Sequence, residues 1–399
     1  MVFLCALVAK KRLFGAGSQF KPANMLKIIA DDKIPFLKGV LEPYADMVYV
    51  PGKQITAELI KDADALLIRT RTKCTKELLE GSKVSFIGTA TIGYDHIDTG
   101  YCEKNKVKWT NAPGCNSYSV QQYVISALLK MASESGFRLI DKTLGIVGVG
   151  NVGSKVEKTA LLLGMKVLVC DPPRARKEGS EKFVKFDTLL NEADILTAHV
   201  PLSFEGEDKT FHLFNEKNLS RMKKGAWFIN SSRGEVADTS ALKKALNSGN
   251  LSGALLDVWE KEPEIDRELL RRVFVATPHI AGYSTDGKAN GTALVVNSLS
   301  GFFDLPLTGW YPPEVPIPED TLIEVDATEK TEQDIIKEAV FHTYNISDDD
   351  GRFRLSPGDF EKQRGEYPLR REFTSYTVNL RGGTKEVREI LKGMGFSII

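Results

Sequence analysis

The chain has 399 residues, 42% of them hydrophobic and 27% charged, with 53 basic side chains against 53 acidic ones. That length supplies two or three domains with buried cores. The balanced charge excludes a net field drawing the protein to nucleic acid or anionic lipid. Its five cysteines, Cys5, Cys74, Cys102, Cys115 and Cys170, are scattered without a Cys-x-x-Cys pair. They read as reduced thiols in a reducing compartment, with no zinc knuckle.

Val2 to Ala9 are apolar, but Lys10, Lys11 and Arg12 follow them, the reverse of a secretory signal, and the stretch is too short to span a bilayer. Residues 1–24 are therefore expected to be a disordered extension. Pattern begins at Met25. Candidate strands Leu26 to Ala30, Ala65 to Ile68 and Val84 to Gly88, alternating with helical stretches, suggest a small α/β domain over residues 25–118. Val120, Tyr123, Val124, Ala127, Leu128 and Met131 then recur at helical spacing, a long helix leading into the next domain.

Gly148-Val149-Gly150-Asn151-Val152-Gly153 follows a strand-like run, Thr143 to Val147, and precedes a helix-like run, Ser154 to Leu163. Asp171 closes the next apolar run, Lys166 to Cys170. Strand, glycine loop, helix, strand and acid make a dinucleotide-binding βαβ unit. The glycines allow a tight turn, close approach of the pyrophosphate and close packing of helix on strand, while the acid accepts from the ribose hydroxyls. A carboxylate there favours NAD over NADP, with Pro172-Pro173 expected to steer Arg174 and Arg176 off the adenosine pocket.

Further strand candidates are Ile195 to Ala198, Ala226 to Asn230, Ala254 to Asp257 and Val273 to Thr277. With the two around the glycine loop they make six, the count of a complete doubly wound dinucleotide fold over residues 119–280. Ser284 to Phe303 looks helical and returns to the first domain, assigning it residues 281–308 as well. The stiff segment Tyr311 to Pro318 carries four prolines and reads as a linker. Residues 319–399 then carry their own signals: strands Leu322 to Val325 and Tyr376 to Leu380, helices Glu332 to His342 and Lys385 to Gly393. The expected architecture is α/β, two doubly wound parallel-sheet domains plus a small α+β C-terminal domain. A module that small buries a modest core alone, so dimerisation is its expected duty.

Three strand ends carry groups suited to chemistry: Arg233 after one strand, Asp257 and Glu262 after the next, and His279 after the last. Ligands bind at the carboxyl ends of strands in open α/β sheets, so all three face one crevice. Arginine grips a carboxylate in a two-pronged contact, histidine takes a hydroxyl proton, and an adjacent carboxylate supports the imidazolium. Arg69-Thr70-Arg71-Thr72-Lys73 concentrates cations and hydroxyls suited to a phosphate. His96 reads as structural, while His199, His212 and His342 lie in no motif. No cluster is spaced for a metal.

Ser232-Arg233-Gly234, Asp257-Val258-Trp259 with Glu262-Pro263, and His279-Ile280-Ala281-Gly282 behind a central glycine loop resemble the motifs of the D-2-hydroxyacid dehydrogenase family. Gly88 to His96, Ala112 to Asn116, Cys170 to Arg174, Ile280 to Tyr283, Pro357 to Phe360 and Arg370 to Glu372 are similar to members that oxidise 4-phospho-D-erythronate with NAD, in a route to pyridoxal phosphate. The resemblance runs from Met25 nearly to the end. It implies catalytic Arg233, Glu262 and His279. It implies cofactor contacts at Gly148, Gly150, Asn151, Val152, Gly153, Asp171, Val200, Ser231, Ser232, Arg233, Asp257 and Gly282. Substrate contacts are implied at Thr70, Thr91 and Tyr283; the cation-rich loop adds Arg69 as a substrate contact, and Arg370 and Arg371 are expected to add charge from a partner subunit. Two departures stand out: Thr70 replaces an expected serine, and Ser231-Ser232 is more polar than the family pattern. The expectation is a cytoplasmic homodimer acting on a small phosphorylated hydroxyacid, without nucleic-acid or membrane partners. The rival enzyme reading is a dehydrogenase of 3-phosphoglycerate or another D-2-hydroxyacid. The rival of another class is a non-catalytic NAD-sensing scaffold, against which the short extension and compact C-terminal module argue.

Overall fold

A computed structural model of the chain describes residues 25–399. The expected extension, residues 1–24, lies outside the described residues.

The first sheet contains β1 (Leu26–Asp31), β2 (Ala45–Val50), β3 (Ala65–Ile68), β4 (Phe86–Thr89) and β5 (Lys108–Thr110), all parallel in the order β2-β1-β3-β4-β5. Its central strands bury both faces, so they read as continuous apolar runs such as Ala65-Leu66-Leu67-Ile68, each residue fully buried. The edge strands β2 and β5 are half exposed and mixed in polarity, and the sequence reading missed both.

The second sheet contains β6 (Thr143–Val147), β7 (Lys166–Cys170), β8 (Ile195–Ala198), β9 (Ala226–Asn230), β10 (Leu251–Leu256) and β11 (Val275–Ala276). All are parallel, in the order β11-β10-β9-β8-β6-β7. Val184 N donates to Val169 O beyond β7, adding one rung to that edge. The order reverses at β6, which has β7 on one side and β8 on the other. In open α/β sheets such a reversal marks the ligand crevice, at the strands' carboxyl ends.

Two nineteen-residue helices join the sheets. Ser117–Ser135 buries Val120, Tyr123, Val124, Leu128 and Met131 and stops at Gly136, in the left-handed conformation at φ 68°. Thr285–Phe303 is capped by Ser284, whose hydroxyl accepts from Gly287 N at 2.8 Å, and it lays Val295, Val296 and Leu299 on the first sheet.

The third sheet, β12 (Leu322–Asp326), β13 (Thr377–Arg381) and β14 (Ser397–Ile398), is also parallel, its strands joined by helical crossovers. Its core is not separate. Ile323, Val325, Ile335, Val340, Val387 and Leu391 belong to one buried cluster with Tyr123, Leu128, Leu144 and Ile146. At about 1.5–3 kcal/mol for each buried aliphatic side chain, this wall attaches the module firmly to the second sheet. The shortage of core that suggested dimerisation is therefore met within the chain.

Arg370 and Arg371 also correct an expectation. Arg370 is buried, its Nε donating to Gln122 Oε1 at 2.8 Å and its guanidinium stacked 3.7 Å from the Tyr344 ring centroid. Arg371 pairs with Asp286 of its own chain at 2.9 Å. Both arginines are consumed inside the subunit because a buried guanidinium requires its donors satisfied locally.

Candidate active site

At the switch point the glycine loop takes the form its spacing suggests. Gly148 has φ 85° and lies against the carbonyl of His199, with Val200 Cγ1 covering it, so a side chain there would be both strained and obstructed. A β-carbon on Gly153 would strike the Gly148 carbonyl. At Gly150 nothing lies within 4 Å of the β-position: the space is open. Val152 leads into the helix Gly153–Leu162, and Asn151 packs against Gly114 of the neighbouring segment. Asp171 stands beneath the loop, accepting from Val149 N at 2.8 Å and Arg174 N at 3.1 Å. Ser231 Oγ, just past β9, is buried without a hydrogen-bond partner among the described residues. An open cradle at a helix start, a carboxylate below it and an orphaned hydroxyl beside it fit NAD. Arg174 is not steered away: its guanidinium reaches back to the Val149 carbonyl while pairing with Glu178.

Past β9, Asn230 braces the next turn. Its Oδ1 accepts from Ser232 N at 3.1 Å and Ser232 Oγ at 2.8 Å, and its Nδ2 donates to Arg233 O at 2.9 Å. That turn sends Arg233 across to the first sheet, where Nη2 lies 3.5 Å from Asp95 Oδ2 and abuts Gly93. Past β10, Asp257 is buried, its Oδ1 accepting from Thr277 Oγ1 at 2.6 Å and Ile280 N at 2.7 Å, its Oδ2 from Ala281 N at 2.9 Å. It shapes the turn that carries His279, which sits at φ 59°, a rare conformation for a residue with a β-carbon.

His279 Nδ1 is 2.8 Å from Glu262 Oε2, while Glu262 Oε1 accepts from Trp259 N at 2.9 Å. Burial pushes the Glu262 carboxyl up. The His279 charge and hydrogen bond, with the Trp259 amide and the Arg364 charge, outweigh burial and hold it below the usual carboxylate range. An ionised Glu262 favours the His279 tautomer whose Nδ1 carries a proton and donates a hydrogen bond to the carboxylate.

On the first-sheet side, Thr91 Oγ1 donates to Gly93 O at 3.0 Å and lies 2.8 Å from Thr89 Oγ1, which lies 3.1 Å from His96 Nε2. Burial lowers the His96 pKa, opposed by Asp95, so this ring joins the network as a neutral group. Arg69 Nη1 donates to Lys33 O at 3.3 Å, and Thr70 is exposed with no side-chain hydrogen bond among the described residues. Arg71 is paired with Glu361 of the C-terminal module. Tyr283 follows His279 closely, with Lys288 Nζ 5.5 Å and the Arg364 guanidinium carbon 5.6 Å from its ring centroid. Gly282 leaves room for the Asn116 amide. His199 is held neutral by burial, its pKa pushed down to about 3, so it offers no base.

The arrangement thus brings Arg233, Glu262 and His279 to successive strand ends above a dinucleotide cradle. The sequence reading missed Gly93 as the surface against which Arg233 rests, and Lys288 and Arg364 around Tyr283. Lys288 and Arg364 lie in no motif, and although Gly93 falls within Gly88 to His96, only the fold sets it against Arg233.

Residues 117–281 match the family described as D-isomer specific 2-hydroxyacid dehydrogenase, NAD binding domain, and residues 317–395 match a domain of unknown function. The chain is 51% identical over 354 residues to an erythronate-4-phosphate dehydrogenase of Bacteroides thetaiotaomicron, covering 88% of this chain and 99% of the relative. It is 42% identical over 375 residues to one of Proteus mirabilis, covering 93% of this chain and 99% of the relative. Among solved structures, a D-lactate dehydrogenase from Aquifex aeolicus complexed with NAD and lactic acid superposes with TM-score 0.58 at 28% identity, over 70% of this chain and 96% of that one.

Proposed function

Since this chain belongs to the erythronate-4-phosphate dehydrogenase branch of the D-isomer specific 2-hydroxyacid dehydrogenase family, we propose that it oxidises 4-phospho-D-erythronate to (R)-3-hydroxy-2-oxo-4-phosphooxybutanoate with NAD, in pyridoxine 5′-phosphate biosynthesis. The observation that carries the chemistry is the 2.8 Å pair between His279 Nδ1 and Glu262 Oε2, with Arg233 on the adjoining strand end.

Bound NAD would supply the hydride acceptor for the carbon bearing the hydroxyl. The protein's residues do the rest. Gly148, Gly150, Asn151, Val152 and Gly153 would hold the pyrophosphate, Asp171 would accept from the adenosine ribose, and Val200, Ser231, Ser232 and Gly282 would contact the rest of the cofactor. Asp257 orients the strand ends that flank it. Arg233 binds the substrate carboxylate through paired N–H donors and polarises the neighbouring oxygen. His279 Nε2 removes the hydroxyl proton as the carbon–oxygen double bond forms, and ionised Glu262 stabilises the resulting imidazolium. Thr70, Thr91, Tyr283 and Arg69 contact the substrate.

In this reading the first sheet with helix Thr285–Phe303 is the substrate domain, residues 25–118 and 281–308, and residues 119–280 form the cofactor domain. Residues 319–399 are a C-terminal dimerisation domain in a cytoplasmic homodimer. Leu322, Leu355 and Leu369, exposed on that module at 45%, 85% and 47%, support a partner surface there.

NADH formation with 4-phospho-D-erythronate and 3-phosphoglycerate in parallel tests the reading, with His279→Ala as control. Preference for the four-carbon acid, lost in the variant, is the expected result. Preference for 3-phosphoglycerate would retain the mechanism and replace the substrate.

A further inference from the structure

Two cations meet over one tyrosine beside the site, and the charge of a third acts on one of them. Lys288, in the first turn of helix Thr285–Phe303, has its Nζ 5.5 Å from the centroid of the Tyr283 ring. Arg364, from the C-terminal helix Phe360–Gly365, has its guanidinium carbon 5.6 Å from the same centroid. Arg69, past β3, is near enough for its charge to act on Lys288.

These charges are poorly compensated. Lys288 is partly buried, and its pKa is lowered by burial and then by Arg69, with no carboxylate opposing. Residues 1–24 contain no aspartate or glutamate that could supply one. Arg364 has one acid, Glu361 at 3.4 Å, which is already paired with Arg71. Arg364 Nε is buried with no partner among the described residues. Like charges brought together out of water destabilise a fold unless an anion joins them. Their neighbour is the proposed catalytic pair, since the Arg364 charge is among those lowering the Glu262 pKa.

Resting on the function proposed above, we infer that Lys288 and Arg364, disposed about Tyr283, form with Arg69 the subsite for the substrate's terminal phosphate. A phosphate monoester carries about two negative charges at neutral pH and several acceptor oxygens. It suits two guanidinium forks and a lysine point charge. The Arg69 part agrees with the cation-rich loop read from sequence. Arg364 is new, and it gives the C-terminal module a part in choosing the substrate: without its short helix the subsite lacks one of three cations.

The test uses full-length Lys288→Gln and Arg364→Gln proteins, with Lys288→Arg as the charge-retaining control. NAD titration verifies that each is folded. The first readout is binding of inorganic phosphate to the NAD-loaded protein by calorimetry. The second is the ratio of kcat/KM for 4-phospho-D-erythronate to that for D-erythronate. Each Gln variant should weaken phosphate binding and shrink the ratio by about tenfold or more, the scale of a lost charged hydrogen bond. Lys288→Arg should recover most of both. Equal loss on the two acids, or no phosphate binding by the unaltered protein, overturns the subsite. Phosphate binding that depends on these residues in a protein that ignores 4-phospho-D-erythronate would uphold the subsite and overturn the substrate assignment instead.

Discussion

Gly93 and Arg233 follow strands of different sheets, yet a β-carbon on Gly93 would collide with the Arg233 guanidinium. The arginine proposed to bind substrate therefore rests on the substrate-side loop. Its position depends on the absence of a side chain opposite.

Gly93→Ala should displace Arg233 without unfolding the protein, because the obstructed group is the end of a flexible side chain. Steady-state kinetics should show kcat/KM for the hydroxyacid reduced by roughly 10–100-fold, the range for a binding group misplaced by about an ångström. NAD affinity should stay unchanged. Loss of both together would mean that the loop itself had collapsed.

His279→Ala removes the proposed proton acceptor while leaving the Asp257 carboxylate bonded to the amides of Ile280 and Ala281. A fall in kcat of about 10²–10⁴-fold with retained NAD binding is expected. A variant within a few-fold of the parent would remove histidine from the mechanism.

Two glycines of one loop should respond differently. At Gly150 the β-position is open, so Gly150→Ala should keep its melting temperature and bind NAD about tenfold more weakly, near 1.4 kcal/mol. At Gly153 the new methyl group would meet the Gly148 carbonyl, so Gly153→Ala should also lose roughly 1–3 kcal/mol of stability. Thermal melts with and without NAD separate the two. Equal melting temperatures would show that the turn relaxes.

Glu372 sets a pH dependence of stability. It is buried, accepts from Ser284 Oγ at 2.8 Å, and has its pKa pushed up to about 7 by burial and by Asp286, against the nearby Arg370 and Arg371. A carboxyl raised in the fold contributes stability that is complete below its unfolded pKa and is lost as pH rises through the folded value. The amount is about 3 kcal/mol between pH 4.5 and pH 7. Glu372→Gln, which cannot ionise, should gain on the parent as pH rises from 5 to about 8.5. Denaturant midpoints at the two pH values measure it, and a constant difference would refute the assignment.

Much of this was legible in the chain because central parallel strands must be apolar throughout. β3, β6, β8 and β9 could be read residue for residue on that signal. The edges of the first sheet gave no such run. β2 includes Asp46, β5 is three residues long, and helix Ile346–Leu355 carries three consecutive aspartates and a glycine while burying little beyond Ile346, Asp349 and Phe353. Arg233, Glu262 and His279 stood out because each lies just past a strand. Lys288 and Arg364 did not, because an isolated cation on a helix has no periodic or motif signal. Arg370 was misread for a related reason: a guanidinium buried over Tyr344 looks in sequence like any surface charge.

The wall shared by the second and third sheets has a further consequence. Met394 and Phe396, near the end of the chain, lie in the same cluster as Leu144 and Val156 beside the glycine loop, and Gly393 fits against Leu162 on the helix that loop begins. The third sheet's final elements thus pack beneath the start of the dinucleotide unit. Heating should melt these regions in one endotherm rather than two. A message ending before the third sheet would yield an aggregating polypeptide, its greasy flank open to water, rather than a smaller working dehydrogenase.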